Sequence, residues 1–230
     1  MSLERADEIL SELSAEYTRA LQAKLVSPRA VHYTHEVAER LRSVLDRLAR
    51  CYWEKRVSPN LSVDDRSKAT VYFPITDSAQ SFGSVMGQWR WKAIAADHEE
   101  LQNYLLSLQP FQGPDNAWLQ ILNTLALQSK HIDLVPQTRV EERRITVIGP
   151  SGGSVSWGPG VTFGSGVSIM GAPVDPLTQR ILPTAGVTEK VETWVSFVIE
   201  GHGVNALTFS TRACEQVRQI AEAMSGQFGI

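Results

Sequence analysis

Cationic side chains that could hold a phosphate group cluster between residues 36 and 56. This segment contains six basic residues, Arg40, Arg42, Arg47, Arg50, Lys55 and Arg56. It also contains four acidic residues, Glu36, Glu39, Asp46 and Glu54. A later segment, Ser129-Lys130-His131, adds another cation and one imidazole. Guanidinium groups stabilise phosphate charge, and an imidazole transfers protons near neutral pH. If the two segments adjoin, they form a locally basic cleft that contains one histidine.

The segment QWRWKA, residues 88–93, interleaves two tryptophans with Arg90 and Lys92. Aromatic and cationic side chains in this pattern are typical of surfaces that stack on single-stranded bases or anchor a protein partner. Trp89 continues the apolar stripe of the preceding helix, so we expect Trp91 to be the exposed contact beside Arg90. The alternative is a tryptophan buried against another helix or at a dimer interface.

Two histidines could bind a divalent metal if a third ligand joined them. His32 and His35 lie one helical turn apart, with Glu36 and Glu39 adjacent, and His131 is the candidate third ligand. The spacing HxxHE differs from that of zinc-protease helices, and histidines beside glutamates are common on helix surfaces. We therefore predict ordinary solvated or capping histidines and no metal.

Five helices in the first 135 residues are predicted to position these side chains. Apolar residues recur at intervals of three or four over residues 3–26 and again over residues 28–56, where Ser27-Pro28 is a helix start signal. Further helices are expected from Ser78, from Asp97 to Pro110, and from the turn FQGPD to about His131. Residues 57–77 are predicted to be a loop with one extended segment. Short connections favour packing of the five helices as a bundle.

The pattern changes after residue 135. RVEERRITVI and VETWVSFVI show the period of two that is typical of strands, with Val191, Val195, Phe197 and Ile199 on one side of the second strand. Between them, Val-x-Trp, Val-x-Phe and Val-x-Ile recur every six residues among glycines, which predicts a small meander. No lysine follows these glycines as it does in a phosphate-binding loop, so we expect no nucleotide cofactor.

The expected fold class is α+β. An N-terminal helical bundle, residues 1–135, precedes a small antiparallel sheet with a closing helix, residues 136–230. That helix starts near Ser210 and is expected to pack on the sheet. The boundary near residue 135 is either a domain border or a seam within one continuous domain.

Composition excludes several classes of protein. Lys and Arg number 22 against 25 Asp and Glu, so the net charge of −3 gives no overall attraction for nucleic acid or anionic lipid. Residues 149–173, within the longest uncharged run, contain eight glycines and are too polar to span a bilayer. The N-terminus lacks the pattern of a secretory signal, so we expect a cytoplasmic protein. Cys51 and Cys214 lack the spacing of a redox pair, which favours two buried small apolar side chains.

Four motifs in order resemble those of an uncharacterised bacterial family. LRSVLDRLA, YFPI, LQPF and LNTLALQSKHIDLV are similar to that family's LRSALDHLA, FPI, LQPY and LNxxDKH. The matched segments lie between about residues 37 and 135, a little under half of the chain. The family's Arg-x4-His looks like the motif of HEPN domains, helical bundles that often act as metal-independent endoribonucleases. In those enzymes, an arginine and a histidine from each of two protomers promote attack of the RNA 2′-hydroxyl on the adjacent phosphate.

The resemblance places Arg42 at the arginine position and Arg47 at the histidine position. Arginine stays protonated at any useful pH, so Arg47 can attract phosphate but cannot transfer a proton. His131 matches the family's Lys-His pair and would replace the lost base if it projects into the same cleft.

We therefore expect a non-catalytic HEPN-like protein, with a homodimer as one state that the resemblance implies. RNA or a protein partner would bind through the basic helix face, with Arg50, Arg90, Trp91 and Lys130 as binding residues and no cofactor. The alternatives are a metal-independent endoribonuclease that uses Arg42, Arg47 and His131, or a structural, oligomerising protein.

Overall fold

The chain folds as an α+β protein, as the sequence predicts. The computed structural model describes residues 3–23, 25–128, 134–158 and 160–230. Its helices are α1 (Leu3–Ala23), α2 (Pro28–Tyr52), α3 (Val63–Lys68), α4 (Ala79–Gly87), α5 (Glu99–Ser107), α6 (Ala117–Gln128) and α7 (Ala206–Gly226). Its strands are β1 (Gln137–Ile148), β2 (Ser154–Trp157), β3 (Ser168–Ile169), β4 (Ala172–Asp175), β5 (Arg180–Ile181), β6 (Thr188–Ile199) and β7 (Val204–Asn205).

Helix α2 is the central element of the bundle. The hydroxyl of Ser27 accepts a hydrogen bond from the N–H of Ala30, and Pro28 starts the helix without an N–H that would need a partner. Helices α1, α6 and α7 pack against α2. The buried face of α2 contains Val37, Leu41, Leu45 and Ala49. One turn of π-helix, Trp53–Val57, continues α2 beyond Tyr52.

The segment between α2 and α4 is more ordered than a simple loop. It contains a short helix, α3, that the sequence analysis missed, with the hydroxyl of Ser62 accepting a hydrogen bond from the N–H of Asp65 at its start. Residues 69–76 follow without helix or sheet. Val71 and Phe73 are buried and Tyr72 between them is exposed, which is the alternation of an extended chain. The predicted extended segment is therefore present, and it passes α2.

The chain divides into two compact units. One consists of Met1–Thr138 together with Val198–Ile230, and the other of Arg139–Phe197. The closing helix α7, which was expected to pack on the sheet, belongs to the first unit and packs mainly against α1 and α2, with further contacts to α6 and to the adjoining strand β7. The physical reason is its apolar stripe, Ala213, Val217, Ile220 and Met224, which is buried in the same core as α2. The first junction, at Thr138, lies three residues beyond the predicted boundary.

The second unit is built from antiparallel strands. Strand β1 lies between β2 and β6, and β3, β4 and β5 form a separate sheet. Its core contains Ile145, Val147, Trp157, Ile169 and Val174. The first of the six-residue repeats lies in β2 and the third ends in β3, whereas the middle repeat, at Val161 and Phe163, is not a strand. Of the side predicted to be buried in β6, Phe197 and Ile199 are buried, Val191 is exposed, and the side chain of Val195 lies outside the described ones.

In the part of the chain that the structure describes, we find no helix with the length and apolarity needed to cross a bilayer.

Candidate functional site

Arg42 and Asp46, one helical turn apart on α2, hold the backbone of Phe73. An Nη atom of Arg42 donates to the carbonyl of Phe73 at 3.0 Å, and the carboxylate of Asp46 accepts from the N–H of Phe73 at 2.9 Å. The second Nη of Arg42 lies 3.1 Å from the same carboxylate oxygen. Burial lowers the pKa of Arg42, and the Asp46 carboxylate opposes that shift. We call this arrangement the Arg42–Asp46 clamp.

Gln109 holds the continuation of the same segment. Its side chain is fully buried at the C-terminal end of α5. The amide oxygen accepts from the N–H and the hydroxyl of Thr76, and the amide nitrogen donates to the carbonyls of Pro74 and Leu105. Both acceptor positions of the amide oxygen and both N–H groups of the amide nitrogen are thereby used within the fold.

Tyr72 is presented to solvent by this network. Its backbone carbonyl accepts from the indole N–H of Trp89 at 3.3 Å, and the N–H of Thr70 donates to the carbonyl of Gln88 at 2.9 Å. The indole N–H of Trp53 in turn donates to the carbonyl of Trp89 at 2.8 Å. The side chain of Tyr72 remains 57% exposed. A large aromatic side chain is thus exposed on a backbone that is fixed on both sides.

Two concavities of about 580 Å³ each flank Tyr72. The first lies between α2 and α6 and is lined by Arg40, Ser43, Asn123 and Leu127 among others. The second runs along the C-terminal half of α2 and is lined by Arg47, Arg50, Cys51 and Val71 among others. Asp46 and Tyr72 line both. We call the two together the Tyr72 groove.

The arginines on the second side of the groove are exposed. Arg50 pairs with Glu54 at 2.7 Å, and its guanidinium lies over the ring of Trp53 at 5.3 Å from the centroid. Arg47 projects from the same side of α2 into the second concavity. Arg42 is less exposed, and its guanidinium binds the carbonyl of Phe73 and the carboxylate of Asp46.

The expectation that Trp91 is exposed is wrong. Trp91 is 3% exposed and stacks on His98, with ring centroids 5.5 Å apart and planes 13° apart. Helix α4 ends at Gly87, and Arg90 has a φ of 58°, in the left-handed region. This departure from helical geometry lets both Trp89 and Trp91 point inward, which a continuous helix would not allow. Arg90 itself is exposed.

The two remaining predicted site residues, Lys130 and His131, lie outside the described residues. The structure therefore brings Arg47 and Arg50 together in the groove, places Arg42 in its supporting layer, and leaves Arg90 on a different segment.

His35 has a structural environment. Its Nδ1 lies 3.0 Å from the carbonyl of Leu125, and its Nε2 accepts from the N–H of Val135 at 3.0 Å. Both nitrogens of this buried ring are thus engaged by backbone, which removes His35 as a ligand, whereas His32 is exposed. Over the described ranges, no three His, Cys, Asp or Glu side chains come close enough to hold a metal ion.

Sequence reasoning missed Tyr72, Asp46 and Gln109. The four motif segments could have pointed to these residues, because three of the segments contact one another at the backbone of residues 73–76. LRSVLDRLA supplies the Arg42–Asp46 clamp, YFPI supplies the clamped segment, and LQPF supplies Gln109. Asn123, from the fourth segment, lines the first concavity.

Charge is unevenly distributed along the chain. Residues 28–57, which form α2 and its extension, contain seven Lys or Arg and four Asp or Glu, while the rest of the chain contains 15 and 21. The groove therefore lies on the basic part of an otherwise acidic protein.

Comparison with known proteins gives no relative: no family model, no curated protein and no solved structure matches this chain.

Proposed function

We propose that this chain is a non-catalytic, HEPN-like binding protein that takes single-stranded RNA in the Tyr72 groove. The observation that carries the proposal is the exposed ring of Tyr72 beside two exposed arginines, on a backbone fixed by the Arg42–Asp46 clamp and by Trp89.

The absence of catalysis follows from the side chains at the motif positions. Arg42 already binds a backbone carbonyl and a carboxylate, so it reaches no phosphate without breaking that support. Arg47 stands at the position where the resembling family has histidine, and its permanently charged guanidinium does not exchange protons at neutral pH. Position 47 therefore keeps its attraction for an anion but has no group that transfers protons at neutral pH.

RNA suits this groove better than a protein partner because of charge and shape. Aromatic rings next to arginines bind single strands by stacking and by phosphate contact, largely without sequence preference. Four arginines of α2 line the two concavities at Tyr72, namely Arg40, Arg42, Arg47 and Arg50. Acidic neighbours such as Glu39 and Glu54 reduce that field. We therefore expect binding of modest affinity that depends steeply on salt.

The test is binding and cleavage of a labelled single-stranded RNA in EDTA. Tyr72→Ala removes the stacking ring, so we expect about 5- to 150-fold weaker binding, corresponding to about 1–3 kcal/mol for one stacked base. Tyr72→Phe keeps the ring and should bind like the wild type. Arg47→Ala should weaken binding and flatten the salt dependence. Arg19→Ala is the matched control, because Arg19 is exposed on α1, away from α2's basic face.

Each alternative has its own outcome. Cleavage that survives EDTA and is lost in His131→Ala would establish the endoribonuclease instead. If RNA neither binds nor is cleaved, the chain acts on a protein partner or as a structural, oligomerising protein. Light scattering then decides whether it forms the homodimer that a HEPN-type cleft requires.

A further inference from the structure

A buried histidine lies away from the groove, where several segments of the helical unit meet. His98 ends the 3-10 turn Lys92–His98 and immediately precedes α5. It is 8% exposed, and its ring stacks on Trp91 and meets the ring of Tyr52 edge-on at 5.7 Å. Phe228, beyond α7, contacts the ring of Tyr52 and that of Tyr104 on α5. One imidazole thus lies among α2, α5 and the residues that follow α7.

The hydrogen bonds of His98 fit a neutral ring. Its Nδ1 lies 2.8 Å from the hydroxyl of Tyr52. Its Nε2 is buried and has no hydrogen-bond partner among the residues that the structure describes. A protonated imidazole has two N–H donors. The oxygen of Tyr52 can accept one of them, and the other would be a buried cationic donor without an acceptor, which is costly.

The charged groups around His98 do not compensate for this cost. Arg56 approaches from the extension of α2, Asp97 is the preceding residue, and Glu99 and Glu100 begin α5. Residues 226–229 bring no ionisable side chain. The three carboxylates are exposed to solvent, which screens them. Burial lowers the pKa of His98 and outweighs the opposing effect of Asp97.

We propose that His98 is an acid-sensitive latch, whose protonation releases the start of α5 and residues 227–230 from Tyr52 and so widens the open concavity of about 850 Å³ that these segments line. The direction of the pH dependence follows from the linkage between proton binding and opening. The closed state binds the proton less readily than the open state, in which the histidine has its ordinary pKa of 6.5. The latch is therefore fully closed above pH 6.5, and closure weakens as the pH falls below that value. This proposal is independent of RNA binding.

Hydrogen exchange of the full chain at pH 7.5 and pH 5.0, corrected for intrinsic exchange rates, tests the latch. Opening can rise at most tenfold per pH unit below 6.5, so we expect up to about 30-fold faster exchange at pH 5.0. The increase should be confined to the start of α5 and to residues 227–230, with α6 unchanged as the internal control.

His98→Gln should remove this pH dependence, because glutamine does not titrate. His32→Gln, at an exposed position of α2, is the matched control and should keep it. If His98→Gln does not fold, NMR titration of the wild-type imidazole replaces it, and the opening midpoint must coincide with the titration of His98. The latch is overturned if the corrected exchange rates are the same at both pH values. It is also overturned if the pH-dependent opening persists in His98→Gln, or if the opening midpoint differs from the titration midpoint of His98.

Discussion

The Arg42–Asp46 clamp should contribute strongly to stability, and Arg42→Met tests this directly. Methionine keeps much of the aliphatic volume and removes the guanidinium. The carbonyl of Phe73 then loses its donor, and the Asp46 carboxylate loses its cation. The side chains of Arg42 and Asp46 are 18% and 27% exposed, so water compensates only in part. We expect the free energy of unfolding to fall by about 2–4 kcal/mol.

Urea denaturation measures this loss as a lower midpoint at an unchanged slope. The matched control is Arg50→Met, which breaks a pair with the same spacing between Arg50 of α2 and Glu54 of the π-helical turn that continues it. Both side chains of that pair are about half exposed, so loss of the pair and of the contact between Arg50 and the ring of Trp53 should together cost at most about 1 kcal/mol.

A double-mutant cycle with Asp46→Asn isolates the interaction within the clamp. We expect a coupling energy of about 1–2 kcal/mol, because the two side chains share one network. The reasoning fails if Arg42→Met unfolds at the wild-type urea concentration while RNA binding disappears. That combination would make Arg42 a ligand contact rather than a support for the Tyr72 segment.

Three further predictions concern buried side chains. Gln109→Leu should lower the free energy of unfolding by about 3–5 kcal/mol, because backbone groups at Pro74 and Thr76 lose their partners; a thermal melting temperature within two degrees or so of wild type would contradict it. Trp91→Ala should cost about 3–5 kcal/mol by urea denaturation yet leave RNA affinity of the folded protein unchanged, and a selective loss of affinity would restore Trp91 as a contact. Burial raises the pKa of the Cys214 thiol to about 12, so iodoacetamide at pH 8 should label Cys214 only after denaturation, as read by mass spectrometry; rapid labelling of the native protein would refute this.

Periodicity predicted the long helices because one buried stripe is enough to define each of them. Helix α3 was missed because its six residues bury no side chain, so it leaves no apolar pattern. The packing of α7 was also beyond prediction, since an apolar stripe specifies that a helix is buried but not which surface covers it.

The candidate site was predicted in part. The basic character of α2 is visible in composition, and Arg47 and Arg50 were identified on it. The role of Arg42 was not, because a guanidinium that binds phosphate and one that binds backbone look the same in sequence. Tyr72 escaped notice because its exposure depends on contacts with residues that are 17 to 30 positions away in the chain. Trp91 was misjudged because the left-handed backbone at Arg90 is not signalled by a glycine.

The bonding of Phe73 also fixes which way its neighbours point. An extended chain normally obtains a donor and an acceptor from an adjacent strand, whereas here one turn of a helix supplies both. Slippage by a single residue would present the wrong backbone groups to Arg42 and Asp46, and it would turn Tyr72 inward and Phe73 outward. The register of a lone extended segment is thus set by two side chains, without any sheet to align it.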